Sequence, residues 1–136
     1  MADLKRYATK LDVPYTFPPM FPLNTLKPQR ALTWIATHAP DQIQLSTMAL
    51  FEAYWVHGQD ISSENILQST LDTLGIQADK VMAGMVEQAN KDTLRQVTEN
   101  AVQRGAFGAP TFFVGETLFW GCDRMTFIED EIRKQR

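Results

Sequence analysis

The hydrophobic repeat of this chain changes once, at Gly105, and that change limits the fold more than any other feature. From Ala2 to Arg104 apolar residues recur mostly three and four apart, a spacing that places them on one face of a helix. After Gly105 come two short β-branched and aromatic runs, Thr111 to Val114 and Thr117 to Trp120, with only Gly115 and Glu116 between them. A connection of this length predicts a β-hairpin, and Gly115 supplies the positive φ that such a turn requires. Asp123 then stands as the N-cap of a last helix bearing Met125, Phe127, Ile128 and Ile132. The expected architecture is mostly helical α/β: an all-helical block over residues 1–104, then a β-β-α unit over residues 105–136.

Within the block, Leu4, Tyr7, Ala8 and Leu11 form one apolar stripe on a helix from Ala2 to Leu11, which should be covered on that side. Pro14, Pro18, Pro19 and Pro22 interrupt Tyr15, Phe17 and Phe21 and predict an extended aromatic connector lying across the core. A second helix is expected from about Lys27 to His38, with Pro28 in its first turn and Trp34 and Ile35 on its buried side. Asp41 with Gln44 reads as a capping box opening a helix to about His57. Its second half, Met48 to Val56, is apolar nearly all round and belongs in the middle of a helical cluster. Further helices are predicted through Leu67, Leu71 and Leu74 after the caps Asp60, Ser62 and Ser63, from Asp79 to Val86, and from Lys91 to Arg104.

Composition narrows the function. At 136 residues and 44% hydrophobic content the chain is long enough for one domain with its own core. A net charge of -3, with 13 Lys and Arg scattered along the chain, argues against nucleic-acid binding. No run approaches a membrane span, and Met1 to Lys10 has no signal-peptide core, so cytoplasmic surroundings are expected. Cys122 is the single cysteine and there are two histidines, His38 and His57, which excludes an internal disulfide and leaves no ordinary zinc site. The five-residue separation of Glu52 and His57 is not a helical-face spacing, so no acid-base pair is read there. Both histidines are expected to end helices. Trp34, Phe51, Tyr54, Trp55 and Phe112 either line a pocket for an aromatic substrate or, as helical spacing favours, fill the core.

Gly105, Phe107, Gly108, Pro110 and Thr111, the hairpin, then Phe119, Trp120, Gly121, Asp123 and Arg124 resemble, in order and spacing, the 2-hydroxychromene-2-carboxylate isomerases and kappa-class glutathione transferases. The resemblance extends to Met1 through Pro14, to Phe17 through Pro22 and to Phe51 through Ser62, almost the whole chain. It implies the C-terminal half of a thioredoxin-like fold of DsbA type, with residues 1–104 as its helical insertion. Members of that family carry, before this region, a β-α-β unit whose serine activates the thiol of glutathione. No residue here matches that serine, so no catalytic residue is assigned and weak turnover is expected of this polypeptide alone. A truncated product, a second polypeptide supplying the unit, and a naturally shortened relative all satisfy the residues.

By the same resemblance the cofactor is glutathione and the partners are a small aromatic substrate and a second copy of the chain. Ala109 and Pro110 form a cis-proline turn whose main chain pairs with the cysteinyl part of glutathione. Asp123, with Cys122 before it, grips the γ-glutamyl end. Asp123 capping its helix alone, without that second role, fits equally well. Cys122 before a helix N-terminus is either a reactive thiolate or, as its neighbours favour, a small contact residue. Two strands make a marginal sheet, so the hairpin edge is expected to dimerise.

Overall fold

The computed structural model describes residues 2–135, and Met1 and Arg136, the outer ends of the two predicted blocks, lie outside them. Seven α-helices are described: α1 (Ala2–Leu11), α2 (Leu26–His38), α3 (Ile43–Trp55), α4 (Glu64–Asp72), α5 (Ala78–Gly84), α6 (Gln88–Gln103) and α7 (Met125–Lys134). Strands β1 (Thr111–Val114) and β2 (Thr117–Trp120) precede α7, and 3-10 turns at Pro40–Gln42 and Cys122–Arg124 lead into α3 and α7. Two compact units are formed, Met1–Leu94 and Arg95–Arg136, with the boundary inside α6.

The core of the first unit lies where α2, α3, α4 and α5 pack together. Ile35, Leu67, Leu71 and Val81 are fully buried there, with Leu50, Ala53 and Met85 close to it. Each aliphatic side chain so buried contributes about 1.5–3 kcal/mol. Between α5 and α2 the fit leaves no room for a side chain: a Cβ on Gly84 would lie 1.9 Å from Trp34 Nε1. Asn90, buried near the start of α6, donates from Nδ2 to the carbonyls of Arg30 (2.9 Å) and Met85 (3.3 Å). This polar clamp satisfies the buried Asn90 amide and ties the start of α6 to α2 and to the residue that follows α5.

Several sequence expectations change here. The apolar stripe of α1 is not covered; no residue of that helix is buried, and Leu4, Tyr7 and Leu11 are exposed. The second half of α3 is buried on one side only, through Leu50, Ala53 and Tyr54, while Met48 and Phe51 face outward. Asp41 does not cap α3, because the chain enters that helix through the Pro40–Gln42 turn, which puts Gln42 at the cap position with no side-chain bond. Before α4, Asp60 instead accepts hydrogen bonds from the N–H and hydroxyl of Ser62, and the cap residue Ser63 makes no side-chain bond. The connector between α1 and α2 is irregular as its prolines require. It buries Pro18 and is pinned to the end of α3 by Thr16 N–H donating to the Trp55 carbonyl at 2.7 Å.

In the second unit β1 and β2 are antiparallel, Val114 paired with Thr117 and Thr111 with Trp120, so Gly115 and Glu116 alone form the turn. Gly115 has φ +57°, the left-handed conformation the turn demands. Arg104 holds this corner by donating to the Gly115 carbonyl at 2.7 Å while its guanidinium lies 3.8 Å from the centre of the Phe113 ring. Helix α7 packs on β1 and buries Ile128.

Candidate functional site

The sequence-predicted site residues meet in the second unit. The Ala109–Pro110 peptide bond is cis, and the Pro110 carbonyl accepts from Gly121 N–H at 3.0 Å. That one bond brings Ala109 and Pro110 beside Cys122 and Asp123, which follow Gly121 in the turn before α7. Around it, the Thr111 hydroxyl donates to the Gly108 carbonyl, and Trp120 closes over Gly108, where a Cβ would lie 2.8 Å from the indole Nε1. Phe107 packs on the same indole at 5.1 Å. Among the described residues, Ala109 N–H and C=O are engaged by no other backbone group, and all four site residues are exposed.

Asp123 does not cap α7. It sits inside the Cys122–Arg124 turn, the cap position belongs to Arg124, and neither cap there makes a side-chain bond. Its carboxylate folds back over Gly121 instead: a Cβ at 121 would meet Asp123 Oδ1 at 2.6 Å, and Gly121 has φ +110°. The positive φ is what favours glycine there, since the Asp123 side chain is exposed and can move aside. Arg124 places a guanidinium nitrogen 3.7 Å from Asp123 Oδ2, so an anion and a cation stand side by side, both open to solvent. Cys122 is a free, exposed thiol on the first residue of that turn.

The first unit holds an apolar cavity of about 440 Å³ between the proline-rich connector, α2 and α3, lined in part by Phe21, Leu32, Leu50, Phe51, Tyr54 and Trp55. Phe21 contacts Phe17 (5.3 Å) and Trp55 (6.4 Å), and Trp55 meets Tyr54 edge-on at 4.9 Å. Of the five aromatics read as pocket or core, Phe51, Tyr54 and Trp55 line this cavity. Trp34 instead stacks on His38 at 4.3 Å, whose Nδ1–H donates to the Trp34 carbonyl and so ends α2. Phe112 lies on β1 of the second unit. The Tyr54 hydroxyl is buried with no hydrogen-bond partner among the described residues. Burial raises its pKa, and the nearby Asp60 charge raises it further. Asp60 itself is held below the usual carboxylate range, first by the Ser62 hydroxyl and N–H and then by Ser63 N–H and Lys27, against the opposing effect of burial.

Sequence reasoning missed one side-chain contact. His57 Nε2 lies 3.6 Å from Glu52 Oε1, because α3 stops at Trp55 and the chain folds back, so helical spacing no longer governs the pair. Both side chains are more than half exposed. Among the described residues no group of three or more His, Cys, Asp or Glu is placed to hold a metal ion, and no helix is long and apolar enough to cross a membrane.

Against this geometry, residues 1–133 match the family of DSBA-like thioredoxin domains. The chain belongs to that family. It is 33% identical over 129 residues to a 2-hydroxychromene-2-carboxylate isomerase of Sphingobium xenophagum, covering 95% of this chain and 64% of that protein. It is 27% identical to human glutathione S-transferase kappa 1, covering 93% of this chain and 61% of the other. A solved 2-hydroxychromene-2-carboxylate isomerase superposes with a TM-score of 0.81 at 24% identity over 98% of this chain and 64% of its own, which shows the shared fold. The chain thus spans less than two thirds of the length of these relatives. Membership of a family of isomerases and glutathione transferases, and a DsbA-like thioredoxin fold, agree with what the Gly105 to Arg124 motif implied.

Proposed function

We propose that this chain works with glutathione on a small aromatic substrate, as an isomerase of the 2-hydroxychromene-2-carboxylate type. The observation that carries the reading is the Gly121 N–H to Pro110 carbonyl bond, which sets the unengaged main chain of Ala109 beside the Asp123 carboxylate. A main-chain N–H and C=O that no other backbone group engages suit the peptide groups of a cysteinyl residue. Asp123 suits the ammonium of a γ-glutamyl group, and Arg124 next to it offers the opposite charge to that group's carboxylate. Cys122 is read as a contact residue between them.

When bound, glutathione supplies a thiolate that adds reversibly to a conjugated double bond and so permits rotation about it. The residues of this chain bind and orient; by the family resemblance, thiol activation belongs to a serine that none of residues 1–136 matches, so turnover by this polypeptide alone is expected to be weak. Residues 1–104 are then the helical insertion and residues 105–136 the C-terminal part of the thioredoxin-like fold. The aromatic wall of Phe21, Phe51 and Trp55 is assigned to the substrate's rings, the hairpin edge to pairing with a second copy, and the cytoplasm to the protein's place of work.

The likeness to glutathione S-transferase kappa 1 supports a second reading, a transferase that releases a thioether. A non-catalytic oligomerising relic is the third. Incubation of the chain with a chromene carboxylate and glutathione separates them by product: interconversion with its trans-benzylidenepyruvate isomer without a thioether supports the isomerase, and an accumulating conjugate replaces it with the transferase. A robust rate from this polypeptide alone would refute the assignment of thiol activation elsewhere.

A further inference from the structure

The cavity between the connector, α2 and α3 includes among its walls Pro28, Leu50, Tyr54 and Ile61, residues that the first unit itself buries. An apolar cavity of about 150 Å³ holds one benzene ring, and the cavity here, at about 440 Å³, has room for fused rings with a short side chain. Among the described residues no Asp, Glu, Lys, Arg or His lines it. A carboxylate drawn inside would be buried without a partner, so the uncharged, ring-bearing part of a ligand enters and an acidic group stays at the mouth.

Thr25, Gln29 and Thr47 are the lining residues with aliphatic polar side chains. Thr25 and Gln29 are exposed, whereas Thr47, on α3, is half-buried. The Thr47 hydroxyl lies 2.8 Å from the Ile43 carbonyl, and a carbonyl only accepts, so the hydroxyl proton is committed to that bond. The oxygen is left with lone pairs and no proton to offer. Tyr54 does not share this role, because its hydroxyl is buried within the wall. We propose that Thr47 is a specificity-determining residue of this cavity, accepting a hydrogen bond from a hydroxyl group on the bound aromatic ring. The inference rests on the isomerase reading and names the group recognised. Opening the cyclic hemiketal of a 2-hydroxychromene moves the 2-hydroxyl proton to the ring oxygen, leaving a ketone and a phenol, and the phenol is the partner of Thr47.

Equilibrium dialysis of the full chain against 1-naphthol, naphthalene and 1-methoxynaphthalene, without glutathione, tests it. Thr47→Val keeps the branched shape and removes the acceptor. It is expected to weaken 1-naphthol about tenfold, the cost of a buried hydroxyl left unpaired, and to leave naphthalene and the proton-less methoxy compound unchanged or tighter. Thr47→Ser, which keeps the hydroxyl, is expected to bind 1-naphthol as the wild type does. No saturable binding of 1-naphthol by the wild type overturns the proposal. So does an equal change for all three ligands in Thr47→Val with unchanged circular dichroism, or a loss in Thr47→Ser as large as in Thr47→Val. Neither glutathione nor turnover enters this assay, so the isomerase reading fails on the product formed and this inference fails on the affinities.

Discussion

Asn90→Asp replaces one NH₂ group by oxygen and tests how the first unit is held together. Asn90 is 7% exposed and gives its amide hydrogens to the carbonyls of Arg30 and Met85. An ionised aspartate accepts only, so both contacts from position 90 are lost and a carboxylate is set against the two carbonyls. Two hydrogen bonds at about 1 kcal/mol each account for part of the loss. The uncompensated buried charge brings it to about 3–5 kcal/mol, a large fraction of the roughly 5–15 kcal/mol that holds a domain folded.

The variant escapes part of this by keeping its proton, which raises the folded pKa of the introduced carboxyl above the unfolded value of about 3.9. A group raised in the fold has its stabilising form fully present below the unfolded pKa. The penalty is therefore smallest below about pH 4 and grows by up to about 1.4 kcal/mol per pH unit until the folded pKa is passed. Urea unfolding followed by circular dichroism at several pH values, against the wild type at each, measures it. Asn90→Ala should cost about 2 kcal/mol with no such pH dependence. A loss below about 0.5 kcal/mol at neutral pH, or the same loss at every pH, would refute the clamp.

Three further outcomes follow from the same structure. Gly84→Ala gains about 1 kcal/mol of helix propensity but drives a methyl into the Trp34 indole; a net loss of about 1–3 kcal/mol with altered tryptophan fluorescence is expected, and a gain in thermal stability would contradict it. Tyr54→Phe removes a buried, unpartnered hydroxyl, so stability should be unchanged or about 1 kcal/mol higher. Because the fold raises the Tyr54 pKa, the wild type loses stability as the pH rises past about 10, and a melting series should show that loss reduced in Tyr54→Phe. Asp60 is lowered in the fold, so its contribution is present above about pH 3.9 and is lost as the pH falls below it; Asp60→Asn should flatten the acid limb of the same series.

Much of the architecture was legible in the residues, and the failures share a cause. The hairpin was readable to the residue because two-residue turns admit few sequences and Gly115 fits one. The bounds of α1 were equally plain from its stripe, yet periodicity reports which face is apolar and not whether anything lies on it, so the exposure of Leu4 and Leu11 was invisible. Asp41 and Asp123 both carry the residue type of a cap, but each lies inside a 3-10 turn that hands the cap position to the next residue. Sequence pattern does not register that one-residue advance. The Glu52 to His57 contact depends on where α3 stops, and the buried, unpartnered Tyr54 hydroxyl depends on tertiary packing, neither of which a local window contains. At the candidate site the juxtaposition of Ala109 and Pro110 with Cys122 and Asp123 was implied by the motif, while the fold of the Asp123 carboxylate over Gly121 required coordinates.

Residues 109 to 123 are proposed to form a binding half-site for glutathione. Isothermal calorimetry of glutathione into the chain tests it, with Asp123→Ala to remove the γ-glutamyl contact and Cys122→Ser to keep a small polar contact without a thiol. Saturable binding is predicted for the wild type, retained in Cys122→Ser and weakened about tenfold or more in Asp123→Ala, as the loss of one charge-assisted contact implies. No heat from the wild type, or equal affinity in Asp123→Ala, would contradict it.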